Sequence, residues 1–409
     1  MHGRKRSRHL GRRTFLVVAC TAAFAVAAWQ GATASASSSA LPSQITIGVD
    51  MALTGAIAPY DTPALSGFRM AIDEINAKGG IGGKTKIKLV IRNCRSDAAE
   101  SAKVAQTLVS QKVDFMMVPG DASVAIPAGR LAQNAGIPMM SILASSPSIR
   151  TAVGDYFFSN AAADNMVAAG LAKFAYKNGV KRVYTIIGPD AAFTTELPHF
   201  FEAAFKKAGG AVVGTDTYRF GTQDFSAQIT KIREQNPKPQ AIMTSMYEPE
   251  FPAFLKQLRA AGVTLPLYES DAIDTPATLG LGKLINGTHA VTYGFPRPGD
   301  SLSKYYVRYK NKYGSLPESV WPAIGYDSAY IIAEAFKRAG STDGAKVRDA
   351  INGIKNYPGV VGSTTYGTTL KGFPIRPVTV QLWSVKGGSS KVTRTLVAKI
   401  ALKPTDIPT

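Results

Sequence analysis

Cysteine and histidine are scarce in this chain. Its 409 residues include two cysteines, Cys20 and Cys94, and four histidines. One disulfide at most can form, so a cysteine-stapled scaffold and a cysteine-rich zinc module are both excluded. His2 and His9 lie at the extreme N-terminus. His199 and His289 stand far apart, off any metal-ligand spacing, and no His-Glu-x-x-His helix is present. Neither a metal nor a cofactor is expected. The Gly-x-Ser-x-Gly turn of serine hydrolases is missing. Gly82-Gly83-Lys84-Thr85 ends like a phosphate-binding loop, but Lys78 occupies the place of its first glycine. That stretch also follows a helix pattern and precedes a strand, the reverse of the required context. Long apolar runs are lacking too: Thr14–Trp29 is the longest and is short for a membrane span.

What the N-terminus does have is the pattern of an export signal. Arg4, Lys5, Arg6, Arg8, Arg12 and Arg13 precede the apolar run, and Ala34-Ser35-Ala36 offers a small-x-small cleavage site. Residues 1–36 are therefore expected to be a signal peptide and the mature protein to be extracytoplasmic. Arg12-Arg13-Thr14-Phe15-Leu16 resembles a twin-arginine signal, with general secretion as the alternative. Val17-Val18-Ala19-Cys20 resembles a lipoprotein box, but the apolar run continues past Cys20, which favours cleavage after Ala36 over lipidation. Removing six basic residues from the total leaves 41 basic against 28 acidic residues, a net charge of +13. These basic residues are scattered, without aromatic interleaving, which reads as a solvated surface. No nucleic-acid partner is expected.

Residues 45–92 set the architecture. Ile45–Val49 alternates like a strand, and Ala52-Leu53-Thr54-Gly55-Ala56 is a small-residue loop after it. Thr62-Pro63 predicts a helix start, a hydroxyl cap followed by proline. Leu65, Phe68, Ala71, Ile72 and Ile75 then line one helix face, Gly79-Gly80 ends it, and Ile87–Ile91 is a second strand. A β-α-β unit implies parallel strands, with the first loop at the carboxyl edge of the sheet, where such folds bind ligands. The alternation of strand and helix continues to Val291. Helices dominate from Leu302 to Ile351, and strands return at Val378–Val385 and Val392–Ile400. Two successive β/α runs predict two α/β lobes.

The wording of this stretch is also distinctive. Leu53-Thr54-Gly55 followed by Ala71-Ile72-Asp73-Glu74-Ile75-Asn76-Ala77-Lys78-Gly79-Gly80-Ile81 resembles the leucine/isoleucine/valine-binding protein family, extracytoplasmic receptors of ABC importers. The resemblance implies the type I periplasmic-binding-protein fold: two doubly wound lobes joined by a three-stranded hinge. Lobe 1 would be 45–160 with 295–372, and lobe 2 would be 161–294 with 373–402. It also implies a non-enzymatic, monomeric receptor for a small amino-acid-like or amide ligand, delivered to an ABC permease. A sensory receptor of the same fold, reporting to a membrane kinase or chemoreceptor, is the alternative. Cys94 falls where the family often has half of a disulfide. The partner position, near Asp121-Ala122, has no cysteine, so a free, partly buried thiol is expected.

Carried residue by residue, the resemblance also places a ligand site. Ser123, after the third strand, matches a ligand-binding serine. Ala144, through its backbone, and Ser145, through its hydroxyl, match the loop after the fourth strand. Tyr60 matches an aromatic covering the pocket. From the second lobe, Phe193 stands where tyrosine is usual, Tyr247 matches a pocket aromatic, and Asp271 matches an acid holding the ligand's amine. Trp321 matches a further aromatic wall. From the residues alone, a serine after a strand is as readily a helix cap, and Asp271 a turn residue. Asp121 caps the following helix or adds negative charge to the cleft.

Overall fold

The computed structural model describes residues 41–387 and 389–409. The expected signal peptide and Cys20 lie outside the described residues. The chain first builds a parallel sheet from β1 (Gln44–Met51), β2 (Lys86–Asn93), β3 (Phe115–Val118), β4 (Met139–Ser141) and β5 (Phe157–Ser159), in the order β2-β1-β3-β4-β5. Each β1 residue pairs in register with β2, from Gln44 opposite Lys86 to Met51 opposite Asn93. The connecting helices are α1 (Ala58–Ala77), α2 (Ala98–Ser110), α3 (Ala122–Asn134) and the short α4 (Ser148–Val153).

Because strand side chains alternate, both faces of this sheet are apolar and both are covered. Ile45, Ile47, Phe115, Met117 and Met140 pack with α1, while Met116, Val118 and Met139 pack with α2 and α3. Cys94 is fully buried and unpaired, and burial pushes its thiol far above the ordinary range, so it is inert packing.

The chain then passes to a second sheet. Its helices are α5 (Asp164–Lys177), α6 (Ala192–Lys207), α7 (Ser226–Glu234), α8 (Glu250–Ala260) and the single turn α9 (Pro276–Leu279). Its parallel strands are β6 (Arg182–Ile187), β7 (Ala211–Thr217), β8 (Ala241–Thr244), β9 (Leu267–Glu269) and β10 (Thr288–Thr292). After β10 the chain returns to the first lobe as α10 (Ser301–Tyr313), α11 (Trp321–Ala339) and α12 (Gly344–Asn352). A two-stranded ribbon of β11 (Tyr357–Pro358) and β12 (Ser363–Thr364) follows. A last passage carries it back to the second sheet, which β13 (Val378–Val385) and β14 (Val392–Ile400) extend antiparallel, giving the order β14-β13-β10-β9-β8-β6-β7.

Three segments thus pass between the lobes, near 160, 293 and 376, and polar groups tie two of them together. Arg376 Nη2 donates to Asn160 Oδ1 and to Thr364 Oγ1, and Asn160 Nδ2 donates to Ser328 Oγ at 2.9 Å. The Tyr366 hydroxyl donates to the Ser159 carbonyl at 2.8 Å.

One helix start differs from the sequence expectation. The first helix begins at Ala58, not at Thr62-Pro63: Pro59 is the proline of its first turn, and Pro63 lies inside the helix. The extra turn carries Asp61 inward, where its carboxylate accepts the Ala52 and Gly120 amides at 2.8 and 3.0 Å. The third helix begins at Ala122, where Asp121 caps it through the Ser123 amide. Among the described residues no helix is long and apolar enough to cross a membrane.

Candidate functional site

The site forms where loops at the carboxyl ends of both sheets face one another. Tyr60 comes from the first turn of α1, and Ser145 from the loop after β4. Phe193 and Tyr247 come from the second lobe, Phe193 in the first turn of α6 and Tyr247 after β8. Asp271 opens the 3-10 turn Asp271–Ile273 that follows β9, and Trp321 begins α11. These six line one internal cavity with Ile57, Gly120, Leu143 and Ala272. The space left among them is 30 Å³, about that of one water molecule. A larger groove of 700 Å³, between Thr62, Tyr309 and Glu318, is open at the surface, and neither Ser145 nor Asp271 lines it.

The cavity walls are an aromatic box. The Phe193 and Tyr247 rings stack at 5.2 Å with planes 3° apart. Tyr60 stands 5.4 Å from Tyr247 and edge-on to Trp321 at 6.2 Å. Two hydrogen bonds across the cleft fix this arrangement. Tyr247 donates its hydroxyl to Asp121 Oδ2 at 2.8 Å, and the Glu248 amide donates to the Tyr60 hydroxyl at 3.0 Å. Asp121 is therefore both a helix cap and a cleft residue, which unites the two roles read from the sequence. Gly120 has no room for a side chain, since a Cβ there would stand 2.5 Å from Asp61 Oδ1.

Two of the eight sequence-derived candidates lie apart from this lining. Ala144 is buried beside it, its amide donating to Ser141 Oγ at 2.8 Å. Ser123 is exposed, and its hydroxyl accepts the Ala192 amide of the second lobe at 3.2 Å. It faces the rim because the helix starts one residue before it, which turns its side chain along the seam between the lobes.

The electrostatics are those of carboxylates kept dry. Burial pushes Asp271 up to about 7, assisted by the nearby Asp274 carboxylate. Burial also raises Asp164 well above the carboxylate range and raises Asp121. Asp271 Oδ1, both Asp164 oxygens, the Tyr293 hydroxyl and Trp321 Nε1 have no hydrogen-bond partner within the protein. Ser145 approaches Asp164, and Tyr293 approaches Asp271, closely enough to favour the ionised acids but too loosely to satisfy them. Asp61, Asp164 and Tyr293 were not singled out from the sequence. An acid in the first turn of a helix is commonplace there, and nothing in its spacing marks it. Among the described residues no group of acidic, histidine or cysteine side chains forms a metal site.

Residues 44–389 match the sequence profile of the family described as periplasmic binding protein. The chain belongs to the periplasmic binding protein family. It is 26% identical over 329 residues to the Leu/Ile/Val-binding protein BraC3 of Rhizobium johnstonii, covering 80% of this chain and 88% of that one. The Leu/Ile/Val-binding protein of Escherichia coli K12 is 25% identical over 56% of this chain and 61% of its own. Among solved structures, the leucine-binding protein LivK of Thermotoga maritima superimposes with a TM-score of 0.77 at 27% identity, over 89% of this chain and all of its own. A Rhodopseudomonas palustris solute-binding protein in complex with benzoate shares the fold at 19% identity and a TM-score of 0.75, over 89% of this chain and 99% of its own. The fold is the type I, two-lobed architecture of the Leu/Ile/Val-binding group. Its members are solute-binding proteins of ABC transporters, not enzymes, and this periplasmic binding protein has relatives that take amino acids and fold neighbours that take aromatic acids.

Proposed function

We propose that this periplasmic binding protein captures a small amino-acid-like or amide solute between its lobes and presents the closed form to an ABC permease. The observation that supports this is the convergence of Tyr60, Ser145, Phe193, Tyr247, Asp271 and Trp321, from both lobes, on one cavity. The aromatic box suits an apolar body, and Asp271, unpaired and buried, suits a protonated nitrogen. The Ser145 hydroxyl lies beside it for an oxygen. With 30 Å³ between them, the lobes must part to admit any such solute. Binding is then a closing motion about the three crossing segments, and a closed form is what a membrane partner can recognise. The excess of basic residues is spread over the outside, while the ionisable side chains lining the aromatic box are acidic or tyrosine.

A thermal-shift screen against small metabolites tests this, because a solute bound only by the folded state raises the melting temperature. The solute that emerges is then titrated calorimetrically into Asp271→Ala. Loss of one partner of a desolvated charge pair costs about 2–5 kcal/mol, roughly 30-fold or more in affinity. Ser145→Ala, which removes a neutral hydroxyl, should cost less. An Asp271→Ala protein that binds an amine solute as tightly as the parent would reduce Asp271 to a turn residue.

A further inference from the structure

Helix α10 (Ser301–Tyr313) carries Lys304, Arg308, Lys310 and Lys312 and no acid, and it buries only Leu302 and Tyr305. Two of its cations are engaged by α1: Arg308 pairs with Glu74 at 3.1 Å, and Lys312 pairs with Asp73. Lys304 and Lys310, like Arg69 of α1, are exposed and form no ion pair among the described residues. Six large apolar side chains are exposed among the described residues, and three of them sit here: Val307 at 57%, Leu316 at 52% and Tyr313 at 40%. Lys304 and Val307 lie three residues apart and so share one side of the helix. Beside its end is an open groove of 540 Å³, with apolar lining from Ile72, Leu89 and Ile91 and with Arg69, Lys312 and Tyr313 around it. The edge strand β2 adds the exposed Lys86, Lys88 and Arg92. The protein interior sharpens this imbalance. Among the described residues nine acids are buried but only one base, Arg376, so the exterior is more basic than the composition.

A cationic face without free acids attracts anions, and exposed apolar groups among the cations call for apolar cover as well. A soluble polyanion offers charge alone. A second copy of this face would set cation against cation. An anionic lipid surface offers phosphates with acyl chains just beneath them.

We propose that this outer face of the first lobe is a contact surface for anionic phospholipid. Lys304, Lys310 and Arg69 meet the phosphates, and Val307, Tyr313 and Leu316 enter the boundary between headgroups and acyl chains. Such contact is reversible and salt-sensitive, because the charges remain exposed. It holds the protein at a membrane without a covalent lipid. The face lies on outer helices, away from the cavity between the lobes, so it stands whichever solute that cavity takes.

The test is co-sedimentation of the purified protein, its signal peptide removed as checked by intact mass, with vesicles of phosphatidylglycerol or of phosphatidylcholine. The protein should bind phosphatidylglycerol, ignore phosphatidylcholine, and dissociate as salt is raised. Lys304→Gln with Lys310→Gln should weaken binding about 25-fold, at about fivefold per cation, with the melting temperature unchanged. Lys177→Gln with Lys256→Gln removes the same charge from exposed sites of the second lobe, and should change binding by no more than about twofold. Val307→Ser with Leu316→Ser keeps every charge. It should weaken vesicle binding about tenfold while leaving any binding of soluble polyphosphate unchanged. Equal losses in the two lysine pairs would mean that net charge, not this face, makes the contact, and would overturn the proposal. A serine pair that binds vesicles like the parent would overturn it too, leaving a site for soluble polyanions. No binding to phosphatidylglycerol overturns it outright, and none of these outcomes bears on the solute cavity.

Discussion

Asp271, proposed to hold the solute, differs from a buried structural carboxylate in its hydrogen bonding. A structural carboxylate, such as that of Asp61, is buried but accepts two backbone amides. Burial raises both acids, Asp61 to about 8 and Asp271 to about 7 instead of 3.8, but Asp271 has an oxygen left over. A raised carboxyl pKa means the folded state holds a proton that the unfolded state has lost. This group's contribution to stability therefore falls as pH rises from about 4 to about 7 and is flat above. Asp271→Asn should accordingly raise the ligand-free melting temperature at about pH 8 and change it little near pH 4. A cationic nitrogen has the opposite preference, because it binds the ionised acid. Affinity for an amine solute should rise between about pH 6 and pH 8, with protons released on binding. Calorimetry in two buffers of different ionisation enthalpy reads that release directly. Affinity flat across this range would mean that Asp271 does not titrate against the solute.

At the scale of elements, the site depends on how α1 meets α11, because these helices carry Tyr60 and Trp321. They touch through glycine: a Cβ on Gly67 would lie 1.7 Å from the Pro322 carbonyl oxygen, and one on Gly325 would lie 1.9 Å from that of Ala64. Both contacts are to backbone, which cannot swing aside. Gly67→Ala should therefore separate the helices and destabilise the fold by about 3 kcal/mol or more, beyond the usual cost of overpacking. A lower urea midpoint with an unchanged slope is the expected reading, and loss of solute affinity should accompany it.

The same scale explains what could be read from the chain beforehand. Strand and helix alternation was legible because apolar spacing records it, and β13 and β14 fall on the residues expected. The aromatic box was legible through the family resemblance of its residues rather than through their spacing, and Trp321 stands at a helix start, not after a strand. Arg376 was not, since a single arginine before Pro377 carries no pattern, and only the third passage between lobes brings it beside Asn160. Asp61 was hidden for a related reason: Thr62-Pro63 resembles a helix start so closely that the turn before it read as loop.

For the molecule as a whole, two sheets are joined by three crossing segments, and bonds such as Tyr247 to Asp121 and Ser123 to the Ala192 amide bridge the cleft mouth. Neither bond is within a lobe, so the proposed parting of the lobes would break both. In the proposed cycle, opening exposes the box to solvent, and a solute that fills it restores the bridging bonds. The free protein in solution should therefore be the more extended. Small-angle X-ray scattering of the purified protein, with and without a saturating solute, measures this directly. Capture between closing lobes requires the radius of gyration to fall on binding, with the scattering of each lobe otherwise unchanged; identical radii at full occupancy would contradict it.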